Sequence, residues 1–112
     1  MNYDADNRLL RIFIGESDTY EGEPLYMAIV EALRREGLAG ATVLRAIEGF
    51  GKSSRIHTAH ILRLSEDLPI VIECVDTADN IEAILPTLDA MIGDGLVTME
   101  RVDVRVYRAN GG

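Results

Sequence analysis

The chain has 112 residues, a formal net charge of −8 and 47% hydrophobic residues, the size and apolar content of one folded domain spanning residues 1–112. No apolar run approaches the roughly 18 residues of a membrane span, and the net acidity opposes the phosphate neutralisation on which generic nucleic-acid binding rests. One cysteine, Cys74, excludes an internal disulfide, and the N-terminus lacks the basic region and small-residue cleavage site of a signal peptide; a cytoplasmic protein with no direct membrane insertion is expected.

Residues 9–15, LLRIFIG, have the β-branched and apolar content of a strand. After the acidic loop ESDTYEGE, Pro24 suits a first helical turn, and Leu25, Ala28, Ile29, Ala32 and Leu33 share one helical face until Gly37 ends it. Residues 41–51 return to strand composition, and residues 68–76, LPIVIECVD, form a continuous apolar run of strand length that places Cys74 as a buried strand thiol. The polar stretch 52–67 between them is longer than a simple hairpin connection and has the length of a functional loop. Asp76 or Thr77 can cap a second helix whose apolar face includes Ile81, Ile84, Leu85, Leu88, Met91 and Ile92. Pro86 inside that helix predicts a kink or break near Leu85. Gly93-Asp94-Gly95 closes the helix, and residues 96–108 are read as a last strand that alternates through VDVRVYR.

The order β-α-β-β-α-β predicts an α+β, ferredoxin-like sandwich in which two helices cover one face of a four-stranded, mostly antiparallel sheet. An apolar second face would have to be buried by another copy or domain.

Several clusters invite a chemical reading. Gly51-Lys52-Ser53 reproduces the end of a P-loop, but the first glycine of that motif would stand where the chain has Ala46, and no Walker-B strand accompanies it. His57 and His60 have a spacing that suits a metal but no clear third ligand, so no metal site is assigned. Ser53, Ser54, His57 and Glu66 or Asp67 lack the setting of a nucleophile elbow, and no catalytic residue is assigned. Glu16, Asp18, Glu21 and Glu23 depart from a calcium-loop pattern and read as a solvated face. Arg34 and Arg35 sit where a helix C-terminus favours cations. Gly49-Phe50-Gly51 either ends a strand or admits an anion to backbone amides, and Gly93-Asp94-Gly95 offers the same two readings.

The segments GLAGATVLRAIEGFGKSSRIHTA and IGDGLVT resemble, in PII-like signalling proteins, the run into the long T-loop and the turn before the last strand. More broadly, residues 9–107, with IFIGESDTYEGEPLYMAIVEALRREGLAGATVLRAIEGFGKSSRIHT and RLSEDLPIVIECVD, resemble the domain of unknown function 190 family, a PII-like group. The resemblance implies a homotrimer with sheets packed toward its centre and an adenine-nucleotide ligand in the clefts between subunits. It further implies that Gly49, Gly51, Lys52 and Ser53 form the loop base, Gly93, Asp94 and Gly95 the phosphate turn, Thr42 a neighbour of the base and Arg105 a cation from the last strand. A partner such as a membrane transporter or a fluoride-exporting channel would then be controlled through the loop, without enzymatic turnover.

The departures from PII are specific. Leu96 stands where PII proteins carry a lysine after Gly-Asp-Gly, and Ser53 where they carry a glutamine important for 2-oxoglutarate and Mg²⁺, so 2-oxoglutarate sensing is not expected. No tyrosine lies between residues 52 and 67 for nucleotidylation, and one additional residue before Gly-Phe-Gly suggests a bulge. The alternatives are a slow nucleotide hydrolase using the same cleft with Lys52 and His57, and a ligand-free adapter whose long loop alone engages a protein.

Overall fold

The apolar residues of the first strand recur at every second position, so one face of it can enter a core while the other cannot. In the computed structural model, which describes residues 4–49 and 68–109 and the backbone of residues 57–58, that strand is β1 (Asn7–Gly15). It is followed by β2 (Thr19–Tyr20), β3 (Glu23–Pro24), α1 (Leu25–Arg35), β4 (Thr42–Arg45), β5 (Glu48–Gly49), β6 (His57–Thr58), β7 (Pro69–Thr77), α2 (Ala78–Met91) and β8 (Leu96–Arg101). Four strands form one antiparallel sheet in the order β4-β7-β1-β8. With the two helices this is the ferredoxin-like arrangement expected from the sequence.

Both helices pack over the central strands β1 and β7. Leu10, Ile12 and Ile14 of β1 and Ile70, Ile72 and Cys74 of β7 meet Leu25, Ile29, Leu33, Ile81, Ile84 and Leu88 in one core. Gly37 (φ +84°) closes α1: its amide donates to Arg34 O at 3.0 Å and Leu38 N reaches Leu33 O at 3.1 Å, while Leu38 packs on the core. These bonds form a Schellman ending, which needs a residue that accepts the left-handed backbone. The turn from β2 to β3 places Glu21 and Gly22 at φ 49° and 86°, the two positive values of a primed hairpin turn. Asp18 ties down the same acidic loop, accepting from Gly15 N at 2.9 Å through its carboxylate.

Three boundaries differ from expectation. α2 runs unbroken from Ala78 to Met91 through Pro86, which is exposed; Thr77 caps its start, accepting from Asn80 N at 3.3 Å. Packing of Ile81, Ile84, Leu88 and Met91 on the sheet side holds the helix together across the missing amide. The strand expected over residues 41–51 divides. β4 ends at Arg45, Ala46 N still donates to Pro69 O at 2.8 Å, and β5 then pairs with β6 instead of the main sheet. The last strand stops at Arg101, because the main sheet offers no further partner along β1: Arg101 lies opposite Arg8, and Val102 N makes one more bond, to Asn7 O at 3.1 Å.

Candidate functional site

Strand register divides the expected site residues between two ends of the sheet. Gly15 lies opposite Pro69 and Phe13 opposite Leu96, so β1 ends where β7 and β8 begin. Gly49 sits at this end: a Cβ there would stand 2.9 Å from Pro69 Cγ. Gly95 is also closely packed, since a Cβ on it would meet Phe13 O at 2.9 Å and Ile92 Cγ2 at 3.0 Å. At Gly95 such a distance requires a residue without a side chain or a shift of the backbone of β1, and at Gly49 a side chain would press on the Pro69 ring. Gly93, by contrast, has open space around it, and Asp94 is exposed.

The electrostatics of this end do not by themselves favour an anion. The turn at residues 93–95 follows the C-terminus of α2, the negative end of a helix dipole, and the last turn of α2 carries no basic residue. Among the described residues Glu16, Glu48 and Asp94 contribute carboxylates and Arg45 a guanidinium, which bonds Glu16 at 2.7 Å. Leu96 is 55% exposed. Gly51, Lys52 and Ser53 lie outside the described residues, as do Phe50, Ser54, His60, Glu66, Asp67 and the side chain of His57, so the loop base, the histidine pair and the serine-histidine cluster are not placed. Among the described residues no group of three His, Cys, Asp or Glu side chains is arranged to hold a metal.

Thr42 and Arg105 occupy a different place. Thr42 pairs with Glu73 partway along β7, and Arg105 lies past the end of β8. Both line a cavity of about 660 Å³ with Gly40, Glu73, Cys74 and Tyr107. Burial pushes the Cys74 thiol up to about 11, with the Asp76 charge adding to it and a hydrogen bond at Gly40 opposing. The thiol is therefore protonated near neutral pH and is no nucleophile. The six residues of β8 stand between Gly95 and the segment that carries Arg105, about 20 Å at the usual rise.

Two polar arrangements go beyond the sequence reading, which offered Asp76 only as a helix cap. Asp76, 4% exposed, accepts from Ala39 N at 2.7 Å, Thr77 N at 2.7 Å and Asn80 Nδ2 at 2.8 Å. Burial opposes its ionisation, but the hydrogen bonds from Asn80, Thr77 and Ala39 prevail and hold its pKa below the ordinary carboxylate value. It fastens the connection before β4 to the start of α2. On the uncovered sheet face, Arg11 bridges Glu73 and Glu100 at 3.1 Å each. The signal for this bridge was present: Arg11 and Glu73 each interrupt an apolar strand at the parity that faces away from the core.

That uncovered face carries a row of apolar residues across all four strands: Leu44 opposite Val71, Val71 opposite Phe13, Phe13 opposite Leu96. Leu44 is 48% exposed.

The family described as DUF190, an uncharacterized ACR, matches residues 7–104. A UPF0166 protein of Methanocaldococcus jannaschii is 41% identical over 102 residues, covering 90% of this chain and 92% of the relative. Among solved structures, a putative PII-like signaling protein from Thermus thermophilus superposes with a TM-score of 0.63 at 20% identity, covering 88% of each chain. CPII, a nitrogen regulatory PII-like protein from Thiomonas intermedia bound to ADP, AMP and bicarbonate, gives 0.55 at 19% identity, covering 88% of this chain and 89% of that one. These two likenesses speak to fold.

Proposed function

On the premise that the chain belongs to the DUF190 family, we propose that it is a PII-like regulatory protein that binds an adenine nucleotide in clefts between copies and controls a partner through residues 52–67. The observation that carries this reading is the division of the site. Gly49 and Gly95 stand at one end of the sheet and Thr42 with Arg105 in a cavity toward the other, so a ligand touching both groups requires two copies. The apolar row on the uncovered face supports assembly, because a contiguous exposed patch of this kind is normally covered in a soluble protein. A homotrimer satisfies both needs with one repeated head-to-tail contact that closes into a ring. An adenine nucleotide is the ligand class because the similar protein CPII is bound to ADP and AMP. With Leu96 in the turn and an acidic neighbourhood, cationic compensation falls to Lys52 and to Arg105 of an adjacent copy. The partner class is a membrane transporter or channel, reached by a protein with no helix, among its described residues, long and apolar enough to cross a membrane itself.

Calorimetric titration with ATP, ADP, AMP and cyclic dinucleotides, on the wild type, Lys52→Ala and Arg105→Ala, tests the reading. Saturable binding that both substitutions weaken about tenfold or more, with the nucleotide recovered intact, supports it. No binding by any of them overturns the nucleotide and leaves a ligand-free adapter. Product formation abolished by Lys52→Ala makes the protein a hydrolase instead.

A further inference from the structure

Three successive backbone amides between α1 and β4 are held by three different parts of the fold. Leu38 N donates to Leu33 O at 3.1 Å, Ala39 N donates to the Asp76 carboxylate at 2.7 Å, and the Gly40 amide hydrogen-bonds the Cys74 sulfur. Asp76 and Cys74 stand two residues apart in β7, so both side chains leave the same face of that strand. Continuing the register of Thr42 opposite Glu73 would set Ala39 opposite Asp76, yet residues 39–41 join no strand. Side chains of β7 take their amides instead of a backbone ladder. Ala39, Gly40 and Ala41 are exposed, whereas Asp76 and Cys74 are 4% and 2% exposed. The segment brings no buried side chain to the core, and its two ends are fixed, by Leu38 on the core and by β4 on β7. A short stretch with few contacts between fixed ends can open without the rest of the fold.

We propose that residues 39–41 are a strap that opens as a local unit over the end of β7, that Asp76 is the positioning residue which latches it, and that a molecule in the adjoining cavity holds it closed. The two oxygens of Asp76 divide the work. Oδ1 accepts from Thr77 N and from Asn80 Nδ2, which fixes the carboxylate to the first turn of α2, and Oδ2 is left for the strap. Opening breaks the bonds at Ala39 and Gly40 and gives water to a carboxylate and an exposed backbone, an exchange that costs far less than unfolding. Residues 39–41 also line the 660 Å³ cavity together with Thr42 and Arg105. A ligand that touches this wall binds the closed form alone and shifts the equilibrium toward it by mass action. The ligand's hold on the strap rests on the proposed function; the latch does not.

Cys74, the single thiol of the chain, reports the opening, because it is sheltered in the closed form and regains an ordinary thiol pKa of about 8.5 once in water. The test follows its reaction with an aromatic disulfide reagent in the full chain at mildly alkaline pH. The wild type is expected to react slowly and, at low urea, at a rate independent of urea, since a local opening exposes little surface. Asp76→Ala should speed the reaction about tenfold or more. Asn80→Ala, which frees the carboxylate to turn, should speed it by a smaller factor and serves where Asp76→Ala does not fold. Gly95→Ala, at the other end of the sheet, should leave the urea-independent rate at the wild-type value. Saturating ADP should slow the wild-type reaction. A wild-type rate that climbs with urea from the outset, equal acceleration by Asp76→Ala and Gly95→Ala, or no acceleration by Asp76→Ala or Asn80→Ala overturns the strap. ADP that binds in calorimetry and leaves the rate unchanged removes the ligand's hold on it. Failure of ADP to bind at all removes the proposed nucleotide and that hold together, while the variants still decide the latch.

Discussion

β7 presents two faces of the same nine residues to different surroundings. On one, Ile70, Ile72 and Cys74 are 3%, 0% and 2% exposed beneath the helices; on the other, Val71, Glu73 and Val75 are only half-buried and nothing among the described residues lies over them but the distant C-terminal segment. Both faces are made largely of β-branched residues, so composition does not separate them. What separates them is that the covered face has found its partners within the chain and the other has not.

The largest expected effect lies on the covered side. Ile12→Ala, at a site with no exposure, should cost about 2–5 kcal/mol in urea unfolding, enough to unfold a marginal domain. Leu44→Ala on the open face should change monomer stability by well under half of that and weaken association instead; equal losses from the two substitutions would end the contrast.

Asp76 comes next. Asp76→Ala strips the acceptor from two backbone amides and the Asn80 side chain, and buried donors left unsatisfied cost about 1–3 kcal/mol each. The carboxyl has a lower pKa in the folded chain than unfolded, so its contribution is fully present above the unfolded value and is lost as pH falls through the folded one. Unfolding midpoints measured between neutral and acidic pH should therefore drop in the wild type and drop less in Asp76→Asn.

The glycine turn gives an internal comparison of smaller size. Gly95→Ala drives a methyl to 2.9 Å from Phe13 O and should cost about 1–3 kcal/mol, whereas Gly93→Ala meets open space and should stay within about 0.5 kcal/mol of wild type. Smallest of all, Arg11→Met removes both bonds of a half-exposed bridge and should shift stability by no more than about 1 kcal/mol. A loss beyond that would mean that the bridge is buried in the assembled protein.

Much of the fold was legible because each covered element carries its period openly: every second residue in LLRIFIG and PIVIECVD, every third or fourth in α1. The misreadings occurred where a local rule met tertiary packing. Pro86 favours a kink or a break, and of these the break is absent, because four buried side chains hold α2 across it. Residues 102–108 alternate like a strand, but alternation records a face and not a partner. The site was legible only in pieces. Gly49 and Gly95 stood out as glycines, and the structure supplies a steric reason for each; the separation of Thr42 and Arg105 from them follows from register, which no spacing along the chain reveals.

The sequence by itself determined the number and type of the main elements, the residues that enter the core and the family, because periodicity and short turn signals are local properties of the chain. Only the tertiary structure decided where β4 and β8 end, that Asp76 serves as a clamp, and that the expected site is divided between two ends of one sheet. Those outcomes depend on which backbone groups find partners across the sheet, and pairing between distant residues is settled by packing rather than by neighbours in sequence.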